Sequence, residues 1–458
     1  MSSKWPRVKT GDVFDLINGF AFKSKEFLEA GAPVLKIKNV KAGALNLDNL
    51  AFVDPEFLSK KPDKIVCNND LLITMSGNRH DGSMETWVGK VCWFGIDSPY
   101  LVNQRVGILR LKKAVDANAR FLAYQLSSEE RQRHFIAVAT SSGGQANLSP
   151  SQINSTELQL PPREVQDWIV SIVGRLEDKI QLNHQINQTL EQMAQAIFKS
   201  WFVDFEPVKA KIAALEAGGC AEDALLAAMQ AISGKNEAQL NHLQQEQPEQ
   251  YAELRATAEL FPSAMQESEL GEIPEEWEVQ RVGNILELVY GKALKSTHRK
   301  EGTVPVYGSG GITGYHNEAL VPKSSIIVGR KGTVGSLYWE DEAFFPIDTT
   351  YYVQPRTVPL TYCYYAMQTL GLEQMNTDAA VPGLNRENVY RLELARPGSS
   401  ILQKFDAVVS TMRKAIHANL NSSKALAEFR DILLPKLLSG ELRLPEAEVQ
   451  IQEAADAV

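Results

Sequence analysis

The sequence predicts an α/β protein in which two similar α/β domains are joined by two long, antiparallel, coiled-coil-like helices in a pseudo-two-fold internal repeat. The first supporting observation is that the stretch WPRVKTGDVFDLINGFAFKS (5–24) returns as WEVQRVGNILELVYGKALKS (277–296). The second is that the match continues, in order, as far as Pro161 and Pro397. The third is that each copy is followed by a stretch in which apolar residues return every seven positions, as they do in long packed helices.

The repeat has the period of whole domains rather than that of a solenoid. Residues 71–73 match 326–328 at a separation of 255, and residues 88–89 match 334–335 at a separation of 246. The separation begins at 272 and ends at 236, so the first copy holds 36 extra residues in three places. Loops between matched strands tolerate such insertions.

The chain divides into six predicted segments. They are a first α/β domain (1–162), a first long helix (163–202), an acidic helical insert and linker (203–276), a second α/β domain (277–397), a second long helix (398–443) and an acidic tail (444–458). Within the domains, short apolar runs bounded by Gly, Pro and Asn predict strands at 33–40, 70–77, 87–95, 324–332 and 349–355. Helical patterns are found at 119–135 and 360–375.

The two long helices are predicted from heptads, whose core positions are named a and d. In the first helix, a holds Ile169, Leu176, Asn183, Leu190 and Ile197, and d holds Ile172, Lys179, Ile186, Met193 and Ser200. In the second, a holds Phe405, Met412, Asn419, Leu426 and Leu433, and d holds Val408, Ala415, Ser422, Phe429 and Lys436.

An asparagine occupies the middle a position of both helices, Asn183 in one and Asn419 in the other. If the helices pair antiparallel, the two amides meet in one layer and can hydrogen-bond each other. Such a layer would fix the register of the pair while lowering its stability. The alternative is that each asparagine lies at the solvent edge of a broad apolar stripe. Its occurrence in both copies favours the paired arrangement.

The net charge of −9 is unevenly distributed. Residues 203–276 carry 15 acidic and 4 basic residues, and the tail 444–458 carries four acids and no base. The rest of the chain is therefore at +6, of which the first copy contributes +4, whereas the second is neutral. This balance is compatible with a nucleic-acid surface on each copy, although it is far from strongly basic.

No segment points to catalysis. The methyltransferase motif Asn/Asp-Pro-Pro-aromatic is absent, and LQLPPRE (158–164) is the nearest string. The run Gly308–Gly311 lacks the last glycine of G-x-G-x-x-G because Thr313 stands in its place. The seven histidines show no metal-ligand spacing. We therefore expect no catalytic residue, metal or cofactor in this chain.

The sequence also predicts a cellular compartment. Cys67, Cys92, Cys220 and Cys363 are isolated from one another, which predicts reduced and mostly buried thiols. The first residues lack an apolar signal segment, and no apolar run reaches membrane-spanning length. We expect a cytoplasmic protein that does not interact with a membrane.

Polar, Gly-rich loops interrupt the apolar strands at matching places in both copies. Arginine can bond guanine edges, lysine can neutralise phosphates, and glycine lets a backbone approach closely. The candidates for DNA contact are Arg79, His80, Lys90, Gln104, Arg105, Ser142, Gln145 and Asn147 in the first copy, and Arg330, Lys331, Thr333, Asn385 and Arg386 in the second. The alternative is that these loops are Gly-rich hairpins whose polar side chains are merely solvated.

Three motifs beside the helices resemble a known family: IFKSWFVDFEPVKAK (197–211), ESELGEIPEEWEV (267–279) and LLPKLLSGELRLPE (433–446). In combination they resemble the specificity subunits of type I restriction-modification systems, over essentially the whole chain. The resemblance implies two target-recognition domains that read the halves of a bipartite site in double-stranded DNA. It also implies that an antiparallel helical spacer sets their separation and docks methyltransferase subunits, two being expected.

The family resemblance further implies that restriction and translocase subunits join for cleavage. S-adenosylmethionine, ATP and Mg would then be bound by the partner subunits. The long acidic insert 203–276 departs from the simplest form of the family pattern. Two alternatives are a two-headed DNA-recognition subunit of a methyltransferase-only or phage-exclusion complex, and a scaffold whose twin domains bind proteins instead of DNA.

Overall fold

The computed structural model describes residues 5–79, 86–142, 145–375 and 383–442. Its contacts divide the chain into two compact units, Met1–Gln181 with Ser422–Val458, and Leu182–Asn421. Each long helix therefore has one half in each unit. The predicted tail 444–458 lies outside the described residues.

The first unit is built from short strands, short helices and halves of the long helices. Its strands are β1 (Arg7–Lys9), β2 (Phe14–Asn18), β3 (Phe27–Leu28), β4 (Ala32–Leu35), β5 (Ala51–Val53), β6 (Ile65–Val66), β7 (Leu71–Thr74), β8 (Ser76–Gly77), β9 (Val91–Trp93), β10 (Tyr100–Val102), β11 (Val106–Leu111), β12 (Thr140–Ser142), β13 (Gln145–Asn147) and β14 (Glu157–Gln159). Its helices are α1 (Thr10–Val13), α2 (Glu56–Lys60), α3 (Ala119–Leu126), α4 (Glu129–Val138), α5 (Pro150–Asn154) and the first half of α6 (Arg163–Phe202).

The strands of the first unit form an antiparallel four-stranded sheet in the order β2-β11-β7-β9 and a five-stranded sheet in the order β3-β5-β4-β10-β6. Smaller sheets follow the orders β12-β13-β8 and β1-β14. The main core packs Leu71 of the four-stranded sheet with Phe121 of α3, Ile169 of α6 and Leu433 of the second long helix. The long helices are thus part of the core that holds this domain.

The second unit begins within α6 and contains the insert and the second copy. Its other helices are α7 (Glu206–Glu216), α8 (Ala221–Ser233), α9 (Glu237–Glu246), α10 (Pro248–Glu259), α11 (Val282–Ile285), α12 (Leu360–Thr369), α13 (Arg386–Tyr390) and the first half of α14 (Ser399–Ser439). Its strands are β15 (Met265–Ser268), β16 (Gly271–Pro274), β17 (Glu278–Arg281), β18 (Leu286–Tyr290), β19 (Val304–Gly308), β20 (Gly311–His316), β21 (Ser325–Gly329), β22 (Leu337–Glu340), β23 (Phe345–Pro346), β24 (Thr350–Pro355) and β25 (Glu393–Arg396).

Within the predicted helical insert, residues 206–259 contain the helices α7 to α10, whereas residues 265–274 contain the strands β15 and β16. Met229, Leu240 and Ala258 form a small core shared by α8, α9 and α10. Val208 of α7 and Phe261, which follows α10, join the larger core of the second unit together with Trp201 of α6. The insert is therefore packed against the end of α6.

The two copies share the topology of their four-stranded sheet and of one two-stranded sheet. The order β18-β24-β21-β22 in the second copy repeats β2-β11-β7-β9, and β17-β25 repeats β1-β14. The parallel pair β19 and β23 repeats the parallel pair β4 and β10. A Cβ added to Gly19 would lie 2.1 Å from the carbonyl oxygen of Asn103, and one added to Gly291 would lie 2.1 Å from that of Ile347. The repeated glycine is therefore required by one close backbone contact in both copies.

Both shorter helices predicted from the sequence are interrupted. In the first copy the prediction over 119–135 becomes α3 and α4, because the Ser128 side chain caps α4 by accepting a hydrogen bond from the N–H of Arg131. In the second copy α12 ends at Thr369, since Gly371 adopts a left-handed conformation with φ of +62°. Side-chain capping competes with helix continuation at such positions.

Most d positions of the predicted heptads are wrong by one residue, although Ile172 is buried as predicted. Lys179 and Met193 are exposed in α6, as Lys436 is in α14. The buried residues that alternate with the a positions lie one place later: Val173, Ala194 and Trp201 in α6, and Val409, Ile416, Ser423 and Leu437 in α14. Core positions in a heptad are separated alternately by three and four residues. Because the order three-then-four and the order four-then-three have the same seven-residue period, periodicity alone cannot show which of them a helix uses.

The helices pair antiparallel in the second unit, where Phe198 of α6 contacts Phe405 of α14. Asn183 is 1% exposed, and its Nδ2 donates to the backbone oxygen of Asn419 at 3.4 Å. The side-chain amide of Asn419 donates instead to Oδ1 of Asn187 at 2.9 Å. The prediction that Asn183 and Asn419 share a layer is confirmed, but the pair of side-chain amides is Asn187 and Asn419.

An arginine anchors the first domain to α6. Arg120 of α3 forms an ion pair with Glu177 of α6 at 2.7 Å and stacks on Trp93, 4.7 Å from the ring centroid. The hydroxyl of Tyr124 also donates to Glu177 at 2.7 Å. Burial and the Glu177 carboxylate raise the pKa of Tyr124, so this hydroxyl keeps its proton.

In the second domain the arginine lies on the long helix and an acidic partner lies on the domain, the reverse of the first. Arg413 of α14, the residue that matches Glu177 at a separation of 236, stacks on Trp339 at 4.8 Å. Trp339 matches Trp93 at a separation of 246. Arg413 forms ion pairs with Asp341 of the domain at 3.5 Å and with a glutamate of α6 at 3.1 Å. The arginine therefore comes from the domain in the first copy and from the long helix in the second.

The four cysteines are free, and the prediction that they are mostly buried is wrong for two of them. Cys92 and Cys363 are buried, and burial raises the pKa of each thiol to about 12. Cys67 and Cys220 are exposed because they lie in the turns before β7 and α8.

Candidate nucleic-acid interface

Several candidates of the first domain meet in one open cleft of about 400 Å³, lined by Met75, Ser76, Gln104, Arg105, Thr140, Gln145, Asn147 and Leu148. The guanidinium of Arg105 donates to Oγ of Ser76 at 2.9 Å and to Oδ1 of Asn147 at 3.1 Å. The Ser76 hydroxyl donates to the same Asn147 oxygen at 2.6 Å. Arg105 is exposed, so these bonds orient a guanidinium that still faces solvent.

The other candidates at this cleft lie on the β12–β13 hairpin and on the turn before β11. Gln104 and Gln145 are exposed, and Gln145 is paired through the backbone with Ser142. Glutamine and asparagine amides can bond adenine edges, as arginine can bond guanine. The structure thus brings Gln104, Arg105, Gln145 and Asn147 together, although they are up to 43 positions apart.

The candidates from the loop before β9 are placed differently. Lys90 is 2% exposed, and its N–H donates to Oγ1 of Thr74. The prediction that Lys90 contacts DNA is therefore wrong, because the backbone turns into the sheet at this residue. The guanidinium of Arg79 donates to the backbone oxygen of Ala139, so this side chain ties two loops together. His80 lies outside the described residues.

In the second domain the candidate arginines are arranged around a tyrosine that the sequence analysis missed. The guanidinium carbons of Arg330 and Arg386 lie 4.9 and 5.2 Å from the ring centroid of Tyr290. Tyr290 is 46% exposed and also contacts the ring of Tyr351 at 5.0 Å. Burial and the Tyr290 hydroxyl raise the pKa of Tyr351 to about 12. The sequence did contain a signal for Tyr290, because this residue directly precedes the repeated glycine at 291.

The remaining candidates of the second domain surround this group. Lys331 and Thr333 are exposed, and Lys331 forms a backbone bridge with Gly383. Asn385 is exposed, but its side chain accepts a hydrogen bond from the N–H of Glu387 and caps α13. Asn385 thus has a structural role that is sufficient to explain its presence.

Corresponding backbone hydrogen bonds show that the candidate DNA-contact residues of both copies lie at equivalent positions in the fold. The N–H of Leu148 donates to the oxygen of Met75 at 2.9 Å, and the N–H of Leu384 donates to that of Arg330 at 2.8 Å. These residues match at the separations of 236 and 255 found in the sequence. The loop before α5 and the loop before α13 therefore meet the ends of β7 and β21 in the same way.

A second pair of corresponding backbone hydrogen bonds links these positions to the residue just before β11 in the first copy and to the residue just before β24 in the second. The N–H of Met75 donates to the oxygen of Arg105, and the N–H of Arg330 donates to the oxygen of Thr349, both at 2.9 Å. The first domain thus contributes its arginine from the loop before β11, whereas the second contributes Arg330 from the end of β21. One backbone arrangement therefore carries different side chains in the two copies.

Within the part of the chain that the structure describes, no group of three or more His, Cys, Asp or Glu residues could hold a metal ion. No helix among those residues is both long enough and apolar enough to cross a membrane.

Comparison with known proteins identifies the family. Residues 2–192 and 274–421 match the family described as the type I restriction modification DNA specificity domain. The chain belongs to this family. It is a type I restriction-modification specificity subunit with two DNA-recognition domains, which confirms the resemblance predicted from the motifs.

Individual relatives agree with this assignment. The type I restriction enzyme HindI specificity subunit of Haemophilus influenzae is 33% identical over 357 residues, which cover 70% of this chain and 77% of that protein. The MjaVIII specificity subunit of Methanocaldococcus jannaschii is 25% identical over 193 residues, which cover 42% and 44% of the two chains. The crystal structure of an S subunit from M. genitalium is similar in fold, with a TM-score of 0.52 and 17% identity over 94% of this chain and 96% of that one.

Proposed function

We propose that each recognition domain of this specificity subunit reads one half of a bipartite DNA site through the loops that meet at β7 in the first domain and at β21 in the second. The observation that carries this proposal is the matching pair of backbone bonds made by Met75 and Arg330. Equivalent scaffolds that carry different polar side chains are suited to two unlike half-sites. Arg105, Gln104 and Gln145 would read the first half, and Arg330, Lys331 and Arg386 the second.

We further propose that α6 and α14 set the spacer between the half-sites and dock two methyltransferase subunits, one at each of two related faces of the repeat. Leu182, Ile186 and Met193 support docking, since they are 47%, 38% and 47% exposed and lie on one face of α6. Exposed apolar side chains in such a row are characteristic of protein interfaces.

The chain itself would then be non-catalytic and cytoplasmic. Methylation with S-adenosylmethionine would take place on the methyltransferase subunits, and cleavage with ATP and Mg on restriction and translocase subunits. The modest charge of +6 outside the acidic segments supports weak DNA binding by the chain alone. Full specificity should require the basic surface that a methyltransferase partner supplies.

The experiment compares DNA binding and adenine methylation by the chain alone and by the chain assembled with the methyltransferase subunit. We expect the chain alone to bind weakly and to modify nothing, and the assembly to methylate one bipartite sequence. Nanomolar discrimination by the chain alone at physiological salt would contradict this division of roles. A chain that binds only protein partners in both forms would support the scaffold alternative.

The docking proposal has its own variants. Changing Leu182 and Met193 together to Gln should abolish assembly with the methyltransferase subunit without lowering the thermal midpoint of the chain. Leu215→Gln is the matched control, because Leu215 is 39% exposed but lies on α7 of the insert. Assembly that survives the double change would place the docking surface elsewhere.

A further inference from the structure

Four phenylalanines pack together beside the five-stranded sheet of the first domain. The ring centroids of Phe20 and Phe22 are 4.9 Å apart, those of Phe22 and Phe57 are 5.3 Å apart, and those of Phe22 and Phe27 are 6.0 Å apart. All four rings are half-buried. With Lys36 and Lys61, whose side chains lie over these rings, they form a surface that we call the Lys–Phe patch.

The two lysines of the patch are held by aromatic rings instead of carboxylates. The Nζ of Lys36 lies 3.7 Å from the ring centroid of Phe27, and that of Lys61 lies 4.8 Å from the centroid of Phe20. No carboxylate in the described ranges forms an ion pair with either lysine; the nearby Asp63, whose pKa is lowered by Lys64 and also by Lys61, is paired with Lys64. A ring face attracts an ammonium group but leaves its charge unneutralised. Both charges are therefore positioned and still available to an anion.

Lys36 is partly buried and lies near a second cation, Lys38. Burial and the nearby charge of Lys38 lower the pKa of Lys36. Lys60 differs, because it lies near the Phe57 ring but forms an ion pair with Glu56 at 2.5 Å. An anion bound at Lys36 would relieve the repulsion between the two neighbouring lysines, whereas Lys60 is already neutralised.

The backbone connects the Lys–Phe patch to the candidate cleft. Phe20 forms a β-bridge with Asn103, and its N–H donates to the oxygen of Val102 at 2.9 Å. Gln104 and Arg105, which line the cleft, directly follow Asn103. A duplex whose bases are read at Arg105 would therefore have its backbone near the patch.

We propose that the Lys–Phe patch binds phosphates of the DNA backbone beside the half-site read by the first domain. This proposal rests on the proposed function, since it assumes that the cleft faces DNA. Phosphate contacts fix the position of a duplex but carry no sequence information. Gly308 stands in the second copy where Lys36 stands in the first, and its sheet there has only the strands β20-β19-β23. In the part of the chain that the structure describes, the patch thus belongs to the first domain.

The test is the salt dependence of binding by the full chain to random-sequence duplex DNA. Each phosphate contact contributes a slope of about −0.9 to the plot of log affinity against log salt. Changing Lys36 and Lys61 together to Gln should therefore make the slope shallower by about 1.8. Between 50 and 200 mM salt, the wild-type affinity should fall roughly 12-fold more than that of the variant.

Two control variants separate charge from structure. Changing both lysines to Arg should leave the slope at its wild-type value, because the charges remain. Lys60→Gln should also leave the slope unchanged, because Glu56 neutralises that lysine in the wild type. If the double Gln variant fails to fold, Lys61→Gln alone decides the matter, with an expected change of about 0.9.

The outcomes distinguish the two proposals. Unchanged slopes in the Gln variants, with normal binding by the wild type, would overturn the patch and leave the proposed function intact. Failure of the wild-type chain to bind any duplex, with or without the methyltransferase subunit, would overturn the proposed function itself.

Discussion

Asn419 of α14 donates a hydrogen bond from its side-chain amide to Oδ1 of Asn187 of α6, at 2.9 Å, in the part of the helix pair that belongs to the second unit. The Nδ2 of Asn187 in turn donates to the backbone oxygen of Ile416 at 3.3 Å. Asn183 lies one helical turn before Asn187, and its side-chain amide donates to the backbone oxygen of Asn419. A polar layer of this kind specifies one register, since a shifted helix would leave amides unpaired among apolar side chains.

The first prediction concerns this amide pair. Asn419→Leu alone should destabilise the chain by about 1 kcal/mol, because it leaves Oδ1 of the half-buried Asn187 without its hydrogen-bond donor. Changing Asn187 and Asn419 together to Leu should recover that loss or exceed it, while the pair tolerates more than one register. Thermal denaturation measures the stability of both variants. A double variant less stable than the single one would show that the amide pair does not act as described.

The second prediction concerns the anchor of the first domain. Glu177→Arg should destabilise the first unit by about 3 kcal/mol, because it sets two guanidinium groups together in a mostly buried joint. Adding Arg120→Glu should restore most of that stability. The exposed pair of Glu129 and Arg133 supplies the control, and Glu129→Gln should change stability by less than about 0.5 kcal/mol. Equal effects at both pairs would show that the anchor is only a surface contact.

The third prediction assigns the arginines to separate half-sites. Arg105→Ala should weaken discrimination in one half of the DNA site by about 1–3 kcal/mol, and changing Arg330 and Lys331 to Ala should weaken it in the other half. The measurement is methylation by the assembled complex of sites that carry single base changes in either half. Variants that relax both halves together would refute independent reading by the two domains.

The fourth prediction concerns Tyr290 as a positioning residue for Arg330 and Arg386. Tyr290→Phe keeps the ring and should retain discrimination, whereas Tyr290→Leu removes the cation–π contacts and should reduce it about tenfold in the second half-site only. Both variants should assemble normally with the methyltransferase subunit. A Leu variant that discriminates as well as the Phe variant would show that the ring does not orient the arginines.

Sequence reasoning could predict the architecture because duplication makes each element visible twice. The repeated Gly19 and Gly291, for instance, mark one close backbone contact in both copies. Sequence reasoning predicted only in part which residues of the long helices face the core, since the seven-residue period is compatible with two different sets of d positions. Lys179 and Lys436 stand at predicted d positions, and charged residues at these positions were evidence in the sequence against that choice.

The site was less predictable because a loop composition does not state which side chains point outward. Lys90 and Arg105 are both basic residues in polar loops, yet Lys90 is buried and Arg105 lines the cleft. Tyr290 was missed because an aromatic residue at the end of a strand usually belongs to the core. The long-range backbone bonds that bring Arg330 to Leu384 have no local signature in the sequence.

We proposed that α6 and α14 set the distance between two recognition domains that read DNA independently. A four-residue insertion in α6 between Asn187 and Leu190 would lengthen that helix by about 6 Å, close to two base pairs of about 3.4 Å, and four residues are close to one helical turn. The decisive measurement is a map of methylated adenines produced by the insertion variant in assembled form. We expect a longer unread spacer between two unchanged half-site sequences. Altered half-sites, or an unchanged spacer, would contradict it.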